Sequence, residues 1–156
     1  MNAQEQLQLL MDEREIIRLV NRFDQATNLR DAAAFAKLWT EDAVWEISKP
    51  IYTKAEGREK IVAMLGKLYE PLDFFFRTTQ TPLIDMQTSG HSATARAETI
   101  ELARMNNGTS YANVAFYEDE YRKVHGEWLF SGRHYKYIWV ETELPLPGQS
   151  VTRRKD

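Results

Sequence analysis

The sequence predicts an α+β domain in which helices come first and an antiparallel sheet follows. Between residues 4 and 30, apolar residues recur at helical spacing and neither Pro nor Gly occurs. From Tyr111 to Glu141, aromatic and β-branched residues alternate with charged ones on both sides of a turn at residues 125–127. Helices followed by a run of strands are typical of α+β domains, whose helices cover one face of the sheet.

The first half of the chain contains three predicted helices and one strand. The long helix over residues 4–30 has a single apolar face, formed by Leu9, Ile16, Val20, Phe23 and Thr27. Asp31 suits the N-cap of a second, shorter helix that runs through Trp39. Residues 43–47 alternate as a first strand, which Lys49-Pro50 ends. A third helix follows residues 56–59 and stops at Pro71.

The second half predicts four antiparallel strands. The first spans residues 79–87, with Pro82 indicating an edge position or a bulge. The second spans residues 91–104, and Asn106-Asn107-Gly108 predicts the hairpin turn that leads to the two closing strands. We therefore expect one domain over residues 1–144 and a polar tail over residues 145–156.

The two faces of the strand at residues 91–104 predict different features, an interior space on one side and self-association on the other. One face has the small side chains of Ala93, Ala95, Ala97 and Thr99, which leave space for a ligand or for closely packed helices. The opposite side of the sheet carries Ile100, Leu102, Val114 and Phe116. Exposed together, they would form a large apolar patch that monomers rarely tolerate. A homodimer or homotrimer built on this outer face is therefore expected.

Composition restricts the possible functions. The 156 residues carry a net charge of −3 and no cysteine, so disulfides, thiolate metal sites and cysteine nucleophiles are excluded. The basic run Arg153-Arg154-Lys155 is too short to predict nucleic-acid binding. No metal-ligand spacing, dinucleotide fingerprint or phosphate loop occurs, which predicts that no metal or cofactor is used. Without a signal peptide or a membrane-spanning run, the expected location is the cytoplasm.

Several short motifs occur in an order that resembles the SnoaL-like family of the nuclear transport factor 2-like superfamily. They are Arg30-Asp31, Leu38-Trp39-Thr40-Glu41-Asp42-Ala43-Val44-Trp45-Glu46, Gly57-Arg58-Glu59-Lys60-Ile61, Gly90-His91-Ser92-Ala93-Thr94-Ala95 and the hairpin pattern Tyr117-x-Asp119-x-Tyr121, Gly126-x-Trp128, Arg133. The resemblance implies a cone-shaped domain in which a curved sheet wraps the first helix and encloses a pocket. Many members are small enzymes that need no cofactor.

Family members similar to scytalone dehydratase and the bile-acid 7α-dehydratase place a Tyr, an Asp, a His and an acidic residue or second His inside the cone. In this sequence the Tyr and Asp positions match Phe23 and Asn28. The His position falls among residues 77–80, none of which is His. Glu101 can retain the carboxylate of the later strand. The resemblance thus implies the scaffold of the dehydratases without their His–Asp pair.

The candidate catalytic residues are Glu101, Arg77, Tyr137 and His134. Glu101 ends the small-residue face, where partial burial would suit a general base, or it pairs with Arg104 or reaches solvent. Arg77 follows three Phe residues and can bind an anion or a developing oxyanion, or it forms a salt bridge at the rim of the pocket. Tyr137 is a hydrogen-bond donor on the last strand.

The role of His134 depends on which face of the last strand lines the pocket. Alternation places it opposite Arg133, Tyr135, Tyr137 and Trp139, and the sequence leaves the pocket face open. Asn28 can orient a substrate hydroxyl or end the first helix. The expected substrate-binding residues are Phe23, Thr27, Asn28, Trp39, Thr79 and Tyr117.

These residues and the resemblance predict a cofactor-independent acid–base lyase or isomerase that acts on a small apolar ring compound. The reaction would be dehydration, another elimination, a proton shift or carbon–carbon cleavage with release of an aldehyde. Two alternatives stay open. One is a non-catalytic domain that binds small molecules, and the other is the structural small subunit of a ring-hydroxylating oxygenase.

Overall fold

The α+β class is confirmed. A computed structural model describes residues 1–144 and 146–148. In this part of the chain the helices are α1 (Ala3–Leu29), α2 (Ala32–Ala36) and α3 (Arg58–Tyr69). The strands are β1 (Trp39–Ile47), β2 (Thr53–Glu56), β3 (Leu72–Thr79), β4 (Leu83–Met86), β5 (Ser92–Met105), β6 (Ser110–Val124) and β7 (Glu127–Glu141). They form one curved, open sheet in the order β2-β1-β7-β6-β5-β3, with β4 beside β5.

Helix α1 is the long helix that the apolar spacing predicts. It begins with a capping box in which the side chains of Asn2 and Glu5 bond each other's backbone N–H groups. It ends at Arg30 in the left-handed conformation, and Asp31 then caps α2 through the backbone N–H of Ala34. Its buried face packs against β3, β7 and α2, and consists of Asp12, Ile16, Leu19, Val20, Phe23, Ala26 and Thr27.

The sheet is mixed because β1 runs parallel to β7, whereas the sequence predicted antiparallel strands only. The β6–β7 hairpin turns at His125 and Gly126, which both have positive φ. This geometry is typical of a two-residue hairpin loop, and Gly supplies it without strain. The outer end of this hairpin is anchored to α1, because Asp12 accepts hydrogen bonds from Lys123 (2.7 Å) and Trp128 (2.9 Å).

Two predicted element boundaries are wrong. Trp39 starts β1 instead of ending the second helix, because its fully buried indole packs against Phe23, Phe35 and Phe130 and this packing outweighs local helix propensity. The strand predicted at residues 79–87 includes only the last residue of β3 and all of the separate strand β4. β3 ends at Thr79 and the short β4 follows Pro82, which has no N–H to donate to a ladder.

The two faces of β5 divide as predicted. The side chains of Ala93, Ala95, Ala97 and Thr99 are buried, and the first two belong to the hydrophobic core together with residues of α1. On the outer side, Ile100 is 49% exposed and Val114 37% exposed. Trp139 joins this outer side at 63% exposure, because a register shift between Val114 and Ala115 reverses the alternation of β7 after Tyr137.

None of the helices in the described part of the chain has both the length and the apolar character that crossing a bilayer requires.

Candidate active site

Three polar side chains on neighbouring strands meet in the interior. Arg77 on β3 pairs in register with Glu101 on β5, and Glu101 pairs with Asn113 on β6. Arg77 donates from Nε (2.9 Å) and from Nη2 to the same carboxylate oxygen, Oε1 of Glu101. The other oxygen, Oε2, accepts only a longer hydrogen bond of 3.3 Å from Nδ2 of Asn113. Oε2 is therefore the less firmly held oxygen of the carboxylate.

Arg77 and Glu101 form a buried ion pair, each about 6% exposed at the side chain. Burial lowers the pKa of Arg77, but the Glu101 carboxylate, together with Tyr117, Tyr69 and Asp24, outweighs this effect and raises that pKa well above its ordinary value. Arg77 is consequently a permanent cation. A buried ion pair of this kind contributes little net stability compared with apolar residues of the same volume, so its position beside a cavity points to function.

Helix α1 fixes the position of Arg77 through Asn28. The amide of Asn28 donates to the backbone oxygen of Arg77 and accepts from its backbone N–H, both at 2.8 Å. The guanidinium then lies over the rings of Phe23 (5.0 Å) and Tyr117 (5.3 Å), where cation–π attraction offsets part of the cost of burial. The Asn28 amide is thus occupied by the backbone, and its predicted contact with a substrate hydroxyl is not supported.

A cavity of about 60 Å³ lies against the ion pair, which is room for about two water molecules. Its opening is flanked by Ile51, which belongs to the turn between β1 and β2 and is 51% exposed. The lining is mostly apolar and aromatic, with the ion pair as its charged part. Lining residues are Trp45, Ile47, Ile51, Leu65, Leu68, Tyr69, Leu72, Phe75, Arg77, Glu101, Tyr111, Asn113, Tyr135 and Tyr137.

Several polar atoms of this lining are buried without a hydrogen-bond partner among the described residues. They are Nη1 of Arg77, Nε1 of Trp45, the hydroxyl of Tyr135 and Oδ1 of Asn113. Unpaired buried polar groups are costly, and native proteins keep few of them. Three donors and one acceptor in the cavity lining therefore lack a partner.

Burial keeps the surrounding tyrosines protonated. It raises the pKa of Tyr111 to about 12 and raises the pKa values of Tyr69, Tyr135 and Tyr137 further. In each case desolvation of the phenolate is the largest cause, and the Glu101 carboxylate adds to it. At neutral pH these side chains are O–H donors and cannot act as bases.

An alkaline titration tests whether the buried tyrosines keep their phenol protons. Tyr69, Tyr111, Tyr117, Tyr121, Tyr135 and Tyr137 all have pKa values raised above the ordinary 10.0. Above pH 10 the unfolded chain loses phenol protons that the folded chain keeps, so the free energy of unfolding should be unaffected by these groups below pH 10 and fall above it. Tyrosinate absorbance should lag behind that of the urea-unfolded chain, and superimposable curves would contradict the burial.

Only part of the predicted site comes together. Glu101, Arg77 and Tyr137 line one cavity, whereas none of the six predicted substrate-binding residues, Asn28 included, does. Phe23, Trp39 and Tyr117 are fully buried in an aromatic cluster. Thr27 is also buried and its hydroxyl donates to the backbone oxygen of Asp24 (3.0 Å), while Thr79 donates to the Asp24 carboxylate through its N–H and hydroxyl. These residues lie outside the cavity lining.

His134 lies on the outer side of the sheet. Its Nε2 is 2.8 Å from Oγ of Ser48 and 4.0 Å from a carboxylate oxygen of Glu46. Alternation along β7 directs Arg133 and Tyr135 inward and His134 outward. The inner face is thereby identified, and His134 drops out of the candidate site.

Sequence reasoning missed Tyr69, Tyr111, Asn113 and Tyr135. Tyr111 and Asn113 follow the same period of two that reaches Tyr117 on the inner face of β6, and Tyr135 follows that period on β7. Tyr69 is in the last turn of α3, where only the contact with β3 distinguishes it from an ordinary core residue.

A second buried ion pair lies within the core, away from the cavity lining. Nε and Nη2 of Arg133 donate to the two oxygens of Asp119 at 2.7 and 3.0 Å, and the Tyr121 hydroxyl donates to the same carboxylate at 2.8 Å. The guanidinium also lies 3.6 Å from the centre of the Tyr117 ring. The pairing of Arg133 with Asp119 is therefore structural.

A larger groove of about 680 Å³ runs between α1, α2 and the β6–β7 turn. Its lining includes charged side chains such as Arg22, Lys37 and Glu127. None of the buried unpartnered polar atoms found in the described chain belongs to its lining. The smaller interior cavity is therefore the better candidate for chemistry.

Comparison with known proteins agrees with this geometry. The family model described as a SnoaL-like domain matches residues 8–134. The chain belongs to the SnoaL-like family. No curated protein matches it, and the resemblance to solved structures is one of fold.

Several solved structures share this SnoaL-like fold. A type 2 hexachlorocyclohexane dehydrochlorinase, LinA, superposes with a TM-score of 0.82 at 19% identity, covering 92% of this chain and 99% of that chain. A protein described as a putative scytalone dehydratase from Novosphingobium aromaticivorans gives a TM-score of 0.79 at 18% identity, covering 95% and 98%. Another LinA structure gives 0.80 at 22% identity, with the same coverage of 95% and 98%.

Proposed function

We propose that the chain is a cofactor-independent lyase or isomerase that moves a proton on a small, mostly apolar ring compound. The observation that carries this proposal is the buried Arg77–Glu101 pair, which borders an apolar cavity together with unpartnered donors. A base, a donor for developing negative charge and a dry enclosure are the requirements of such chemistry. The enzymes named among the structural neighbours, a dehydrochlorinase and a dehydratase, support the same class.

Glu101 is the proposed base, acting through Oε2. A C–H proton next to a ring carbonyl passes to Oε2, and the C–H electron pair shifts to make an enolate whose charge develops on the carbonyl oxygen. Nη1 of Arg77 and the hydroxyls of Tyr135 and Tyr137 are the proposed donors to that oxygen. In an elimination, the electron pair then expels a leaving group, which the protonated Glu101 can assist. In an isomerisation, Glu101 returns the proton to another carbon.

A ring is larger than a cavity of about 60 Å³, so substrate entry requires movement at the opening. Ile51 is in the turn between β1 and β2 and is already half exposed. Leu68 on α3 is only partly buried. Displacing these two side chains widens the opening without breaking the ion pair, and we propose this route of entry.

Deuterium exchange tests the function without knowledge of the product, because both elimination and isomerisation begin with loss of a C–H proton. The purified chain, treated with EDTA, is incubated in D₂O with a panel of cyclic ketones and hydroxyketones. NMR and mass spectrometry then follow deuterium uptake and loss of water. Enzyme-dependent exchange next to a ring carbonyl is the expected result. A panel that binds but never exchanges would contradict an acid–base enzyme and favour a binding domain.

The main alternative is a domain that binds small molecules without reaction. It is favoured by the replacement of the dehydratase Asp and His, since Asn28 holds the backbone of Arg77 and none of residues 77–80 is His. The second alternative, a structural small subunit of an oxygenase, requires a larger partner chain. Location in the cytoplasm stays a prediction from the sequence.

Arg77→Lys tests the donor role. Lysine keeps the charge but loses the planar guanidinium. That group donates to Glu101 through Nε and Nη2, and its Nη1 is unpaired in the cavity lining. We expect turnover of a substrate from the panel to fall by about 10²-fold, the lower range for loss of an oxyanion donor. Substrate binding should change less. A variant with unchanged turnover and a lowered melting temperature would instead indicate a structural Arg77.

Self-association is proposed to cover the apolar outer face. Light scattering should give a mass of two or three chains, and Ile100→Glu should reduce it to one, because a charge would then lie in the centre of the apolar patch. Ile100 is 49% exposed, so the substitution should leave the monomer folded. A parent protein with the mass of a single chain would contradict the proposal.

A further inference from the structure

The cavity is electrically balanced before any ligand enters. One guanidinium and one carboxylate line it, they contact each other, and no other charged side chain borders the space among the described residues. An anionic ligand would therefore place a second negative charge beside Glu101, on the same buried cation that Glu101 already neutralises. Like charges brought together in a desolvated site cost far more than at a surface.

From this arrangement we infer that Glu101 determines ligand charge: the cavity accepts uncharged ring carbonyl compounds and rejects the corresponding ring carboxylates. The inference rests on the proposed function only in taking the cavity as the ligand site. It adds a specificity-determining role that does not depend on whether Glu101 is a base. The sequence alone suggested the opposite, because an isolated Arg77 would favour an anion.

The available hydrogen-bonding groups fit an uncharged ligand. Nη1 of Arg77 and the hydroxyl of Tyr135 are donors, and Oδ1 of Asn113 is an acceptor, all buried and unpartnered. A primary amide on a ring supplies the complementary set, a carbonyl oxygen for the donors and an N–H for Asn113. A carboxylate of the same shape has no N–H to offer.

Anion binding to the parent protein would have to be coupled to proton uptake. The ionisable groups that act on Glu101 are Arg77 on β3, Tyr69 on α3, Tyr111 and Tyr117 on β6, and Tyr135 and Tyr137 on β7. Asp24 on α1 also acts on Arg77, but its carboxylate accepts two hydrogen bonds from Thr79. Burial already keeps the tyrosines protonated, so none of them can take up a proton that would compensate a bound anion.

Benzamide and benzoate are the matched probes, because they have the same shape and differ in charge. Calorimetry at pH 7 should show that the parent protein binds benzamide about 10²-fold more tightly than benzoate, as expected for one unfavourable like-charge contact. In Glu101→Gln the order should reverse, because Arg77 is left without its counter-ion. Glu98→Gln is the control: Glu98 lies on the same strand, is exposed and pairs with Arg96, and this variant should behave as the parent.

A measurement on the parent alone keeps the inference testable if Glu101→Gln does not fold. Benzoate binding, repeated in buffers of different ionisation enthalpy, should take up about one proton per molecule, and benzamide binding none. Equal affinities for the two probes without proton uptake would overturn the inference.

The outcomes also separate this inference from the proposed function. Discrimination between the probes, together with deuterium exchange that persists in Glu101→Gln, would leave the charge selection standing and remove Glu101 as base. Benzamide binding without discrimination would overturn the charge selection and leave the proposed function in place. If the parent binds neither probe, the cavity is not a site for ring ligands and both proposals fall.

Discussion

Glu101→Gln should reduce turnover by about 10²–10⁴-fold, the usual contribution of a general base. Glutamine keeps the shape and can still accept a hydrogen bond from Arg77, but it cannot take a proton from carbon. Initial rates of deuterium exchange on a substrate from the ketone panel measure the loss. Glu98→Gln removes a carboxylate from the outer face of the same strand and should retain the parent rate.

Interpretation of this variant requires a stability measurement, because Gln leaves the buried charge of Arg77 unpaired. Rates are therefore compared at a temperature where melting curves show both proteins folded. Binding of an uncharged ring compound should change much less than turnover. Parental exchange rates in folded Glu101→Gln would exclude Glu101 as the base, while loss of binding and turnover together would assign it to ligand positioning.

Asp119→Asn should lower the free energy of unfolding by about 3–5 kcal/mol, the cost of breaking a buried ion pair by removing one partner. Arg133 has a fully buried side chain. Burial lowers the pKa of Arg133, while Asp119 and the neighbouring tyrosines raise it above the ordinary value. Because arginine does not lose its proton in proteins, the variant leaves a buried cation without its partner. Urea denaturation measures the change. Glu120→Gln, at the exposed neighbouring position, should change stability by no more than about 0.5 kcal/mol.

The two ion pairs should therefore respond differently to substitution. Arg133 and Asp119 satisfy each other with two hydrogen bonds and a third from Tyr121, which is a closed structural set. Arg77 and Glu101 instead border a cavity. Nη1 of Arg77 has no partner, and Oε2 of Glu101 accepts a single longer hydrogen bond. An Asp119→Asn variant that is as stable as the parent would show that Arg133 finds other compensation, and the distinction between a structural and a functional pair would then fail.

The fold was largely predictable because its strongest elements have clear periods. The buried face of α1 repeats from Asp12 to Thr27, and strict alternation holds through most of β5 and of β6 and over shorter stretches of β7. Errors arose where the period was hidden. In β3 the outward-facing Phe76 is as apolar as the buried Phe75, so the strand did not look two-sided. β2 has only four residues, too few to establish a pattern.

Three residues of the candidate site, Glu101, Arg77 and Tyr137, could be predicted from the sequence, but their arrangement could not. Glu101 emerged from its place on the small-residue face, and Arg77 from its position after an apolar cluster. Their pairing depends on the register between β3 and β5, and β3 itself had been placed seven residues too late. The alternation of β7 separated His134 from Tyr135 and Tyr137, but only the three-dimensional structure identified which side faces the interior.

A crystal structure of Glu101→Gln with a bound cyclic ketone from the exchange panel is the sharpest test of whether Arg77 and Glu101 form a catalytic site. Electron density for the ring is expected between Ile51, Leu68 and Tyr137. The ketone oxygen should lie within hydrogen-bonding distance of Nη1 of Arg77 or the hydroxyl of Tyr135, and the α-carbon should face residue 101. Density for the ligand only in the groove between α1 and the β6–β7 turn, with the interior cavity unchanged, would contradict this assignment.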